Sequence, residues 1–361
     1  MQKHLTRAWV EVDLGALVRN GAALAAQAGV PLLPMLKADA YGTGAVRAAL
    51  ALERLSPWGY GVATIAEGAE LRRAGIERPV VVFTPLDPAD FRAAREAAIT
   101  PVFGRAADIM RWRSTGGGPW HLGVDTGMSR AGVRWDAAAE LRDALLDSPP
   151  DGAFTHFHSA ELGDGSMEEQ ERRFRLALAE VPARPPRLST ENSAAIARRR
   201  RSEWDLVRPG VFLYGVGSGA GALITPEPVV SLRACVVDMR TIPAGASVSY
   251  DATYVAPAPR RVATLAVGYA DGYPRGMSGR GAAIVRGRIV PVLGVVTMDM
   301  TMIDVSDVPC ELGDVATLIG RDGDELLDVE RVAALGGAHP YELLTGLGVP
   351  RLPHVYGEVD S

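Results

Sequence analysis

From residue 30 to about 215 the chain repeats one unit: a short apolar run rich in Val, Leu or Tyr, then a stretch with helical spacing. The runs fall at 32–36 (LLPML), 59–63 (GYGVA), 79–84 (PVVVFT), 99–103 (ITPVF), 119–124 (PWHLGV), 153–157 (AFTHF), 187–190 (RLST) and 205–214 (DLVRPGVFLY). Strands joined through helices run parallel, and a parallel sheet needs cover on its faces. Eight such units argue for an α/β fold closed into a (β/α)8 TIM-type barrel rather than an open sheet. The spacing predicts helices over 136–147 and 167–181, and over LRRAG following an AEGAE turn within 66–75. A further helix over 14–28 follows Asp13, a candidate N-cap.

After residue 220 the texture changes. Segments 228–241, 247–255, 261–267, 282–298 and 301–305 alternate apolar and polar residues at period two, with Gly, Pro and Asp between them. This reads as a C-terminal, mostly antiparallel β domain over 224–361, after a barrel over 1–223 whose first dozen residues are expected to pack with it. The join, GVGSGAGALITPEP at 215–228, nominally fits a dinucleotide loop, but no helical pattern follows it, so it reads as a linker. The basic run Arg198–Arg201 reads as a solvated helix end.

Charge and cysteine content narrow the function. With 38 Lys and Arg against 43 Asp and Glu, the net charge of −5 gives no field to attract nucleic acid or anionic lipid, so small molecules or other subunits are the expected partners. Cys235 and Cys310 are too few for a disulfide framework and are not spaced as zinc ligands, which fits a reducing compartment. No apolar stretch approaches the ~18 residues of a membrane span and the start does not read as a leader, so a cytoplasmic protein is expected.

In a barrel the chemistry lies where strands give way to loops on the C-terminal face. Lys37 ends the first run, Arg130 lies just past the fifth, His156 ends the sixth, Glu191, Asn192 and Ser193 follow the seventh, and Arg208 lies within the eighth. A free ammonium at Lys37 would be repelled by two arginines, and a Schiff base with a carbonyl cofactor removes that conflict. The ENSAA stretch at 191–195 offers a hydroxyl and backbone N–H groups of the kind that hold a phosphate. Pyridoxal 5'-phosphate satisfies both demands.

These residues carry a resemblance to the alanine racemase family over nearly the whole chain. The motifs are LKADAYGTG at 36–44, VDTGMSRAG at 124–132, THFHSAE at 155–161, ENSAA at 191–195, VRPGVFLYG at 207–215, VSYDATY at 248–254, VGYADGYPR at 267–275, TMDM at 297–300 and PYELL at 340–344. The resemblance implies a cofactor-bearing barrel followed by a β domain, assembled as a homodimer in which each site is completed by the partner's β domain. It implies interconversion of L- and D-alanine, supplying D-alanine for peptidoglycan in a bacterial host. Lys37 resembles the lysine that carries the cofactor and serves as one base, and Tyr250 the opposite base from the other subunit. Arg208 resembles the arginine facing the pyridine nitrogen, Arg130 the one that binds the substrate carboxylate, and His156 the histidine that orients Arg208. Tyr41, Ser193, Gly210, Val211 and Tyr341 resemble the phosphate-binding set. Met298, Asp299 and Tyr269 would line the substrate entrance from the partner.

The chemistry of such a pair can be reasoned independently. Racemisation removes a proton from one face of Cα and delivers one to the other, so two groups must flank the carbon. Ionising an ordinary tyrosine at pH 7 costs roughly 4 kcal/mol, which a neighbouring guanidinium such as Arg130 would reduce. Arg208 keeps its proton at useful pH, so a pyridine nitrogen opposite it stays unprotonated. Taken singly, Tyr250 also suits a cross-strand aromatic, Met298 a strand core and His156 a satisfied core histidine. His156 and His158 form an HxH pair, but no third ligand beyond Glu161 is evident, so no metal is expected.

The chain also departs from the family pattern. Gly123 stands where many members carry a lysine modified to a carbamate that positions the arginine matching Arg130, so a bound anion such as chloride, or another side chain, is expected to compensate. Asp39, Glu191 and His158 depart as well, which leaves open a broader-specificity amino-acid racemase. A related pyridoxal-phosphate decarboxylase shares the architecture but is disfavoured by the contexts of Tyr250 and Arg208. A non-catalytic pyridoxal-phosphate carrier, resembling the barrel alone, is disfavoured by residues 224–361.

Overall fold

The computed structural model describes residues 7–359; of the first dozen residues, 1–6 lie outside that range. Strand β1 (Ala8–Val12) buries every second residue and leads directly into the helix Leu14–Ala28. Asp13 caps that helix, its carboxylate accepting the Ala16 N–H at 2.8 Å, and Gly29 ends it at φ 68°, a left-handed position that suits a residue without Cβ. Helix and cap fall where the sequence places them.

The barrel strands follow: β2 (Tyr60–Val62), β3 (Val80–Val82), β4 (Val102–Phe103), β5 (His121–Asp125), with β6 (Val133–Arg134) beside it, β7 (Gly152–Phe154) and β8 (Leu188–Ser189). All their pairings are parallel. The ring closes through single parallel pairs, Met35 with Gly61, Val81 with Thr100, Asn192 with Arg208 and Leu32 with Val207. The first and eighth runs thus contribute only isolated pairs. Pro34 and Pro209 supply no N–H to a ladder there, although the carbonyls still serve, Pro209 accepting from Met35 and Pro34 from Gly61.

Three expectations need correction. Residues 211–214 are not strand but a 3-10 turn, Val211–Tyr214. The AEGAE segment is not a turn: it lies inside the helix Ile65–Arg73, whose start is fixed by Thr64 and Glu67 in a reciprocal cap. The stretch 136–147 opens as a 3-10 helix, Trp135–Leu141, and becomes α-helical only over Arg142–Asp147. Inside the ring, Leu33, Val81, Val102 and Leu206 form a core of their own, with Met35, Trp58, Phe83 and Phe154 packed against it. That core is the floor on which the site rests.

The remaining strands are β9 (Val230–Ile242), β10 (Ser247–Val248), β11 (Tyr254–Val255), β12 (Arg260–Leu265), β13 (Ala282–Val285), β14 (Arg288–Leu293), β15 (Thr301–Asp304), β16 (Val315–Asp322), β17 (Glu325–Leu327) and β18 (His354–Tyr356). Because β16 pairs with β9 as well as β13, the strands β9-β12-β15-β14-β13-β16 return to their starting point, all antiparallel. β1 joins β9 antiparallel and β18 parallel. The segment 247–255 is two short strands around a turn at Tyr250, and 282–298 is divided by a hairpin at Arg286 and Gly287. The sequence pattern missed β16, β17 and the helices Val329–Gly336 and Pro340–Gly346. The last of these touches the loop after the first barrel run, where a Cβ on Gly42 would come within 2.5 Å of the Leu344 carbonyl.

Candidate active site

A cavity of about 420 Å³ opens at the C-terminal ends of the barrel strands. Lys37, Tyr41, Gly123, Arg130, His156, Asn192, Ser193, Arg208, Gly210, Val211 and Tyr341 all line it. The convergence read from the strand ends is therefore present, except that Glu191 faces elsewhere.

Lys37 is aimed by unusual backbone. The four residues after it, Ala38, Asp39, Ala40 and Tyr41, all run left-handed, with φ between 53° and 56°. None is glycine, and each such residue costs about 1–2 kcal/mol relative to the right-handed form. Surrounding hydrogen bonds hold the turn: Glu67 accepts the Ala38 N–H at 2.7 Å and Asp39 the Ala45 N–H at 2.6 Å. Lys37 Nζ lies 5.9 Å from the centre of the Tyr41 ring. Burial and then the charge of Arg130 lower the Lys37 pKa, while Glu67 opposes them.

Arg208 is buried, and among the described residues no carboxylate bonds its guanidinium. It donates to Ser189 Oγ at 2.6 Å and to the carbonyls of Thr155 and Thr190 at 2.5 and 3.2 Å. Its carbon Cζ stands 5.0 Å from the centre of the Phe154 ring. Burial brings its pKa down to about 9, so it is charged at neutral pH with a narrower margin than arginine ordinarily has. The orienting hydrogen bonds come from Ser189, Thr155 and Thr190; His156 is close enough to feel the charge. Burial, then Arg208, Arg130 and Lys37, pull the His156 pKa to about 3, so that ring is neutral in the working range.

In the same cavity as Lys37 the chain forms a small polar cradle. Ser193 Oγ accepts the N–H of Gly210 at 2.8 Å, tying the start of one short helix to the start of the 3-10 turn at Val211. A Cβ on residue 210 would approach the Tyr41 hydroxyl to 2.6 Å, so glycine leaves that space open. Tyr41 packs on Tyr214, ring centres 4.8 Å apart, and meets Tyr341 edge-on at 6.1 Å. A hydroxyl, two phenols and turn-starting amides around an open space suit a phosphate, and Lys37 in the same cavity suits its aldehyde. The residues present fit pyridoxal 5'-phosphate.

Arg130 reaches the cavity on a loop that Asp125 shapes, its Oδ1 accepting the N–H groups of Gly127 and Ser129 at 3.0 Å each. Gly123 lines the same wall, where a Cβ would lie 3.0 Å from Val102 Cγ1. Gln170, missed by sequence reasoning, locks two site loops together: its amide donates to Thr126 Oγ1 and the His156 carbonyl and accepts from the His158 N–H. The signal was a Gln at a position of the helix Ser166–Ala179 that shares its buried face with Met167 and Phe174. Ser189 and Glu67 were missed too, each reading in sequence as an ordinary polar residue.

One reading of a charged run needs revision. The Arg198–Arg201 run is not simply solvated: Arg199 pairs with Glu171 at 2.7 Å and with buried Glu191 at 3.0 Å, and Arg198 donates to the carbonyls of Glu161 and Ala220. His158, the other member of the HxH pair, meets Ser159 Oγ through Nδ1 at 2.7 Å.

Tyr250, Tyr269, Met298 and Asp299 lie outside this cavity. Tyr250 is 68% exposed, on the turn between β10 and β11, and lines a separate groove of about 500 Å³ with Arg240, Thr297 and Met300. Tyr269 and Met298 are exposed as well, and Asp299 is held by Arg351 at 2.6 Å.

A closed parallel barrel bearing a lysine and a polar cradle at its mouth, followed by an antiparallel β unit, defines a class of cofactor-dependent barrel enzymes. The domain families described as alanine racemase, N-terminal domain, and alanine racemase, C-terminal domain, match residues 12–218 and 229–356. An alanine racemase of Methylobacterium sp. (strain 4-46) is 40% identical over 349 residues, covering 93% of this chain and 94% of its own. The alanine racemase structure from D-cycloserine-producing Streptomyces lavendulae superposes with a TM-score of 0.90 at 31% identity, covering 98% of this chain and 97% of its own. That from Bartonella henselae, with covalently bound pyridoxal phosphate, gives 0.89 at 29% identity, covering 97% and 99%. The chain belongs to the alanine racemase family.

Proposed function

We propose that this protein interconverts L- and D-alanine with pyridoxal 5'-phosphate, Lys37 handling the proton on one face of Cα and Tyr250 of a second copy on the other. The observation that carries the reading is the single cavity holding Lys37, a buried charged Arg208 and the Ser193–Gly210 cradle. When bound, the cofactor supplies a carbonyl for an amine and a sink for the electron pair left by proton removal. Each remaining task falls to residues of this chain. The lowered pKa of Lys37 favours an amine able to accept a proton. Arg130 binds the substrate carboxylate at the mouth, and its charge helps keep the Lys37 amine neutral. Arg208, charged at neutral pH, would face the pyridine nitrogen as a donor and would leave it unprotonated, while neutral His156 adds no further positive charge to the cavity. Tyr41, Ser193, Gly210, Val211 and Tyr341 would hold the phosphate.

Two copies are needed because Tyr250 is exposed and lines a different groove from Lys37. Its neighbourhood presents Met300 and, nearby in sequence, Val255 and Met298 as exposed apolar side chains, a surface suited to a subunit contact. In this reading residues 1–223 carry the cofactor and residues 224–361 supply Tyr250, Tyr269, Met298 and Asp299 to the other copy's entrance. A content of only two cysteines in 361 residues supports a cytoplasmic setting, and D-alanine is the product a peptidoglycan-building host would use. Among the described residues no helix is long and apolar enough to cross a membrane.

The test is incubation of the cofactor-loaded protein with L-alanine in heavy water. D-alanine bearing deuterium at Cα is expected. Carbon dioxide release in its place would indicate a decarboxylase, and cofactor binding without exchange a carrier.

A further inference from the structure

Glu67 has an evident local duty, closing the cap of the helix Ile65–Arg73: Thr64 Oγ1 accepts the Glu67 N–H at 3.2 Å and Glu67 Oε2 accepts the Thr64 N–H at 3.1 Å. That duty uses only part of its capacity. Oε2 also accepts the N–H of Ala63 at 2.7 Å, and Oε1 reaches to a different barrel loop to accept the N–H of Ala38, again at 2.7 Å. Ala38 is the residue next to Lys37 and the first of the four left-handed ones. One carboxylate therefore ties the loop after β2 to the peptide on which the lysine is mounted.

The left-handed turn is tethered at both ends. At the far end Asp39 Oδ1 takes the Ala45 N–H and the Asp39 carbonyl takes the N–H groups of Thr43 and Gly44. At the near end the Ala38 N–H goes to Glu67. Because Ala38, Asp39, Ala40 and Tyr41 gain nothing from glycine's freedom, the turn relaxes unless something outside it holds its first amide. Relaxation would swing the Lys37 side chain, since its Cα shares the peptide plane that Glu67 grips.

We propose that Glu67 is a positioning residue for Lys37, its carboxylate clamping the Ala38 amide so that the strained turn aims the lysine into the cavity. The proposal rests on the reading that Lys37 is the reacting amine. Its charge works in the same place: Glu67 opposes the lowering of the Lys37 pKa by burial and Arg130.

Helix capping and clamping separate cleanly, because Thr64→Ala removes the hydroxyl half of the cap and leaves Glu67 facing Ala38. Glu67→Gln keeps the shape but cannot accept at both oxygens, since its NH2 must face Ala38 or the Ala63–Thr64 pair. In the protein without cofactor, hydrogen exchange at the Ala38 amide is expected to quicken at least about tenfold in Glu67→Gln and to stay near wild type in Thr64→Ala. In the loaded protein, Glu67→Gln is expected to lower kcat about 10- to 100-fold in both directions with KM changed far less. The pH at which the visible band of the lysine-bound cofactor titrates is expected to move in Glu67→Gln alone.

Equal exchange, kcat and band titration in Glu67→Gln and Thr64→Ala would overturn the proposal. Should Glu67→Gln fail to fold, Glu67→Asp keeps the charge, shortens the reach and is read against the same three measurements. A wild-type protein that neither binds pyridoxal phosphate at Lys37 nor exchanges alanine would instead overturn the functional reading, with Ala38 exchange still reporting on the clamp.

Discussion

Arg208 donates to Ser189 Oγ across 2.6 Å in the buried interior of the barrel, and apart from two backbone carbonyls that hydroxyl is what its guanidinium rests on. Hydrogen bonds to a charged group contribute about 1.5–3 kcal/mol, more than neutral ones, because the buried donor has no water to turn to. Ser189→Ala is therefore expected to destabilise the cofactor-free protein by about 1.5–3 kcal/mol, read from urea unfolding. A loss below about 0.5 kcal/mol would mean that the carbonyls of Thr155 and Thr190 suffice to hold Arg208.

His121 starts β5 inside the barrel, its ring 5.6 Å from that of Trp58 and its buried Nε2 without a partner among the described residues. Burial, then Arg208, lower its pKa from 6.5 to about 4. The unfolded chain therefore takes up this proton first as pH falls, so the stability His121 contributes is full above pH 6.5, drains away between 6.5 and about 4, and changes no further below. The loss amounts to about 3 kcal/mol. Unfolding of the cofactor-free protein at several pH values should show a steeper fall for wild type than for His121→Leu across that window. Parallel curves would show that His121 does not titrate on unfolding.

Most of the barrel was legible because its signal is local: eight apolar runs spaced by helices, and a cap at Asp13 that behaves as an isolated side chain–backbone contact would. What escaped was set by distant partners. Pro34 and Pro209 thin the first and eighth strands, and AEGAE is helical because Thr64 and Glu67 close a cap that the Gly in its middle conceals. Arg199 looked solvated because its partners, Glu171 and Glu191, are 28 and 8 residues away in sequence and meet it only in the fold. Most of the polar residues that line the Lys37 cavity were readable from strand ends and motifs. Their supports, Ser189, Gln170 and Glu67, carry no motif, and only three-dimensional contact shows what each holds.

Gly123 has little room for a side chain. A Cβ there would meet Val102 Cγ1 at 3.0 Å, so that methyl must yield before any larger residue fits. Gly123→Ala is expected to cost about 1–3 kcal/mol by overpacking, and Val102→Ala should recover part of that cost. Strictly additive stabilities in the double mutant would place the strain elsewhere than at Val102.

A glycine at 123 also leaves Arg130 without the negative charge that many family members place there. If a small anion takes that role, alanine turnover in chloride should exceed turnover in gluconate at equal ionic strength by about tenfold, the worth of one charge-assisted contact of about 1.4 kcal/mol. The gain should saturate with chloride. Equal turnover in the two salts would assign the job to a side chain of the protein.

The separation of Lys37 from Tyr250 gives the sharpest test of a shared site. Lys37→Ala and Tyr250→Phe proteins should each be nearly inactive alone. Mixed and allowed to exchange subunits, half of the dimers contain one of each, and in those one of the two sites unites a native lysine with a native tyrosine. About a quarter of wild-type activity is therefore expected to return. If each chain built its site from its own Lys37 and Tyr250, no dimer in the mixture would hold an intact pair and no activity would appear. The outcome turns on geometry, because Tyr250 lies on an exposed turn and lines a groove apart from the cavity that holds Lys37.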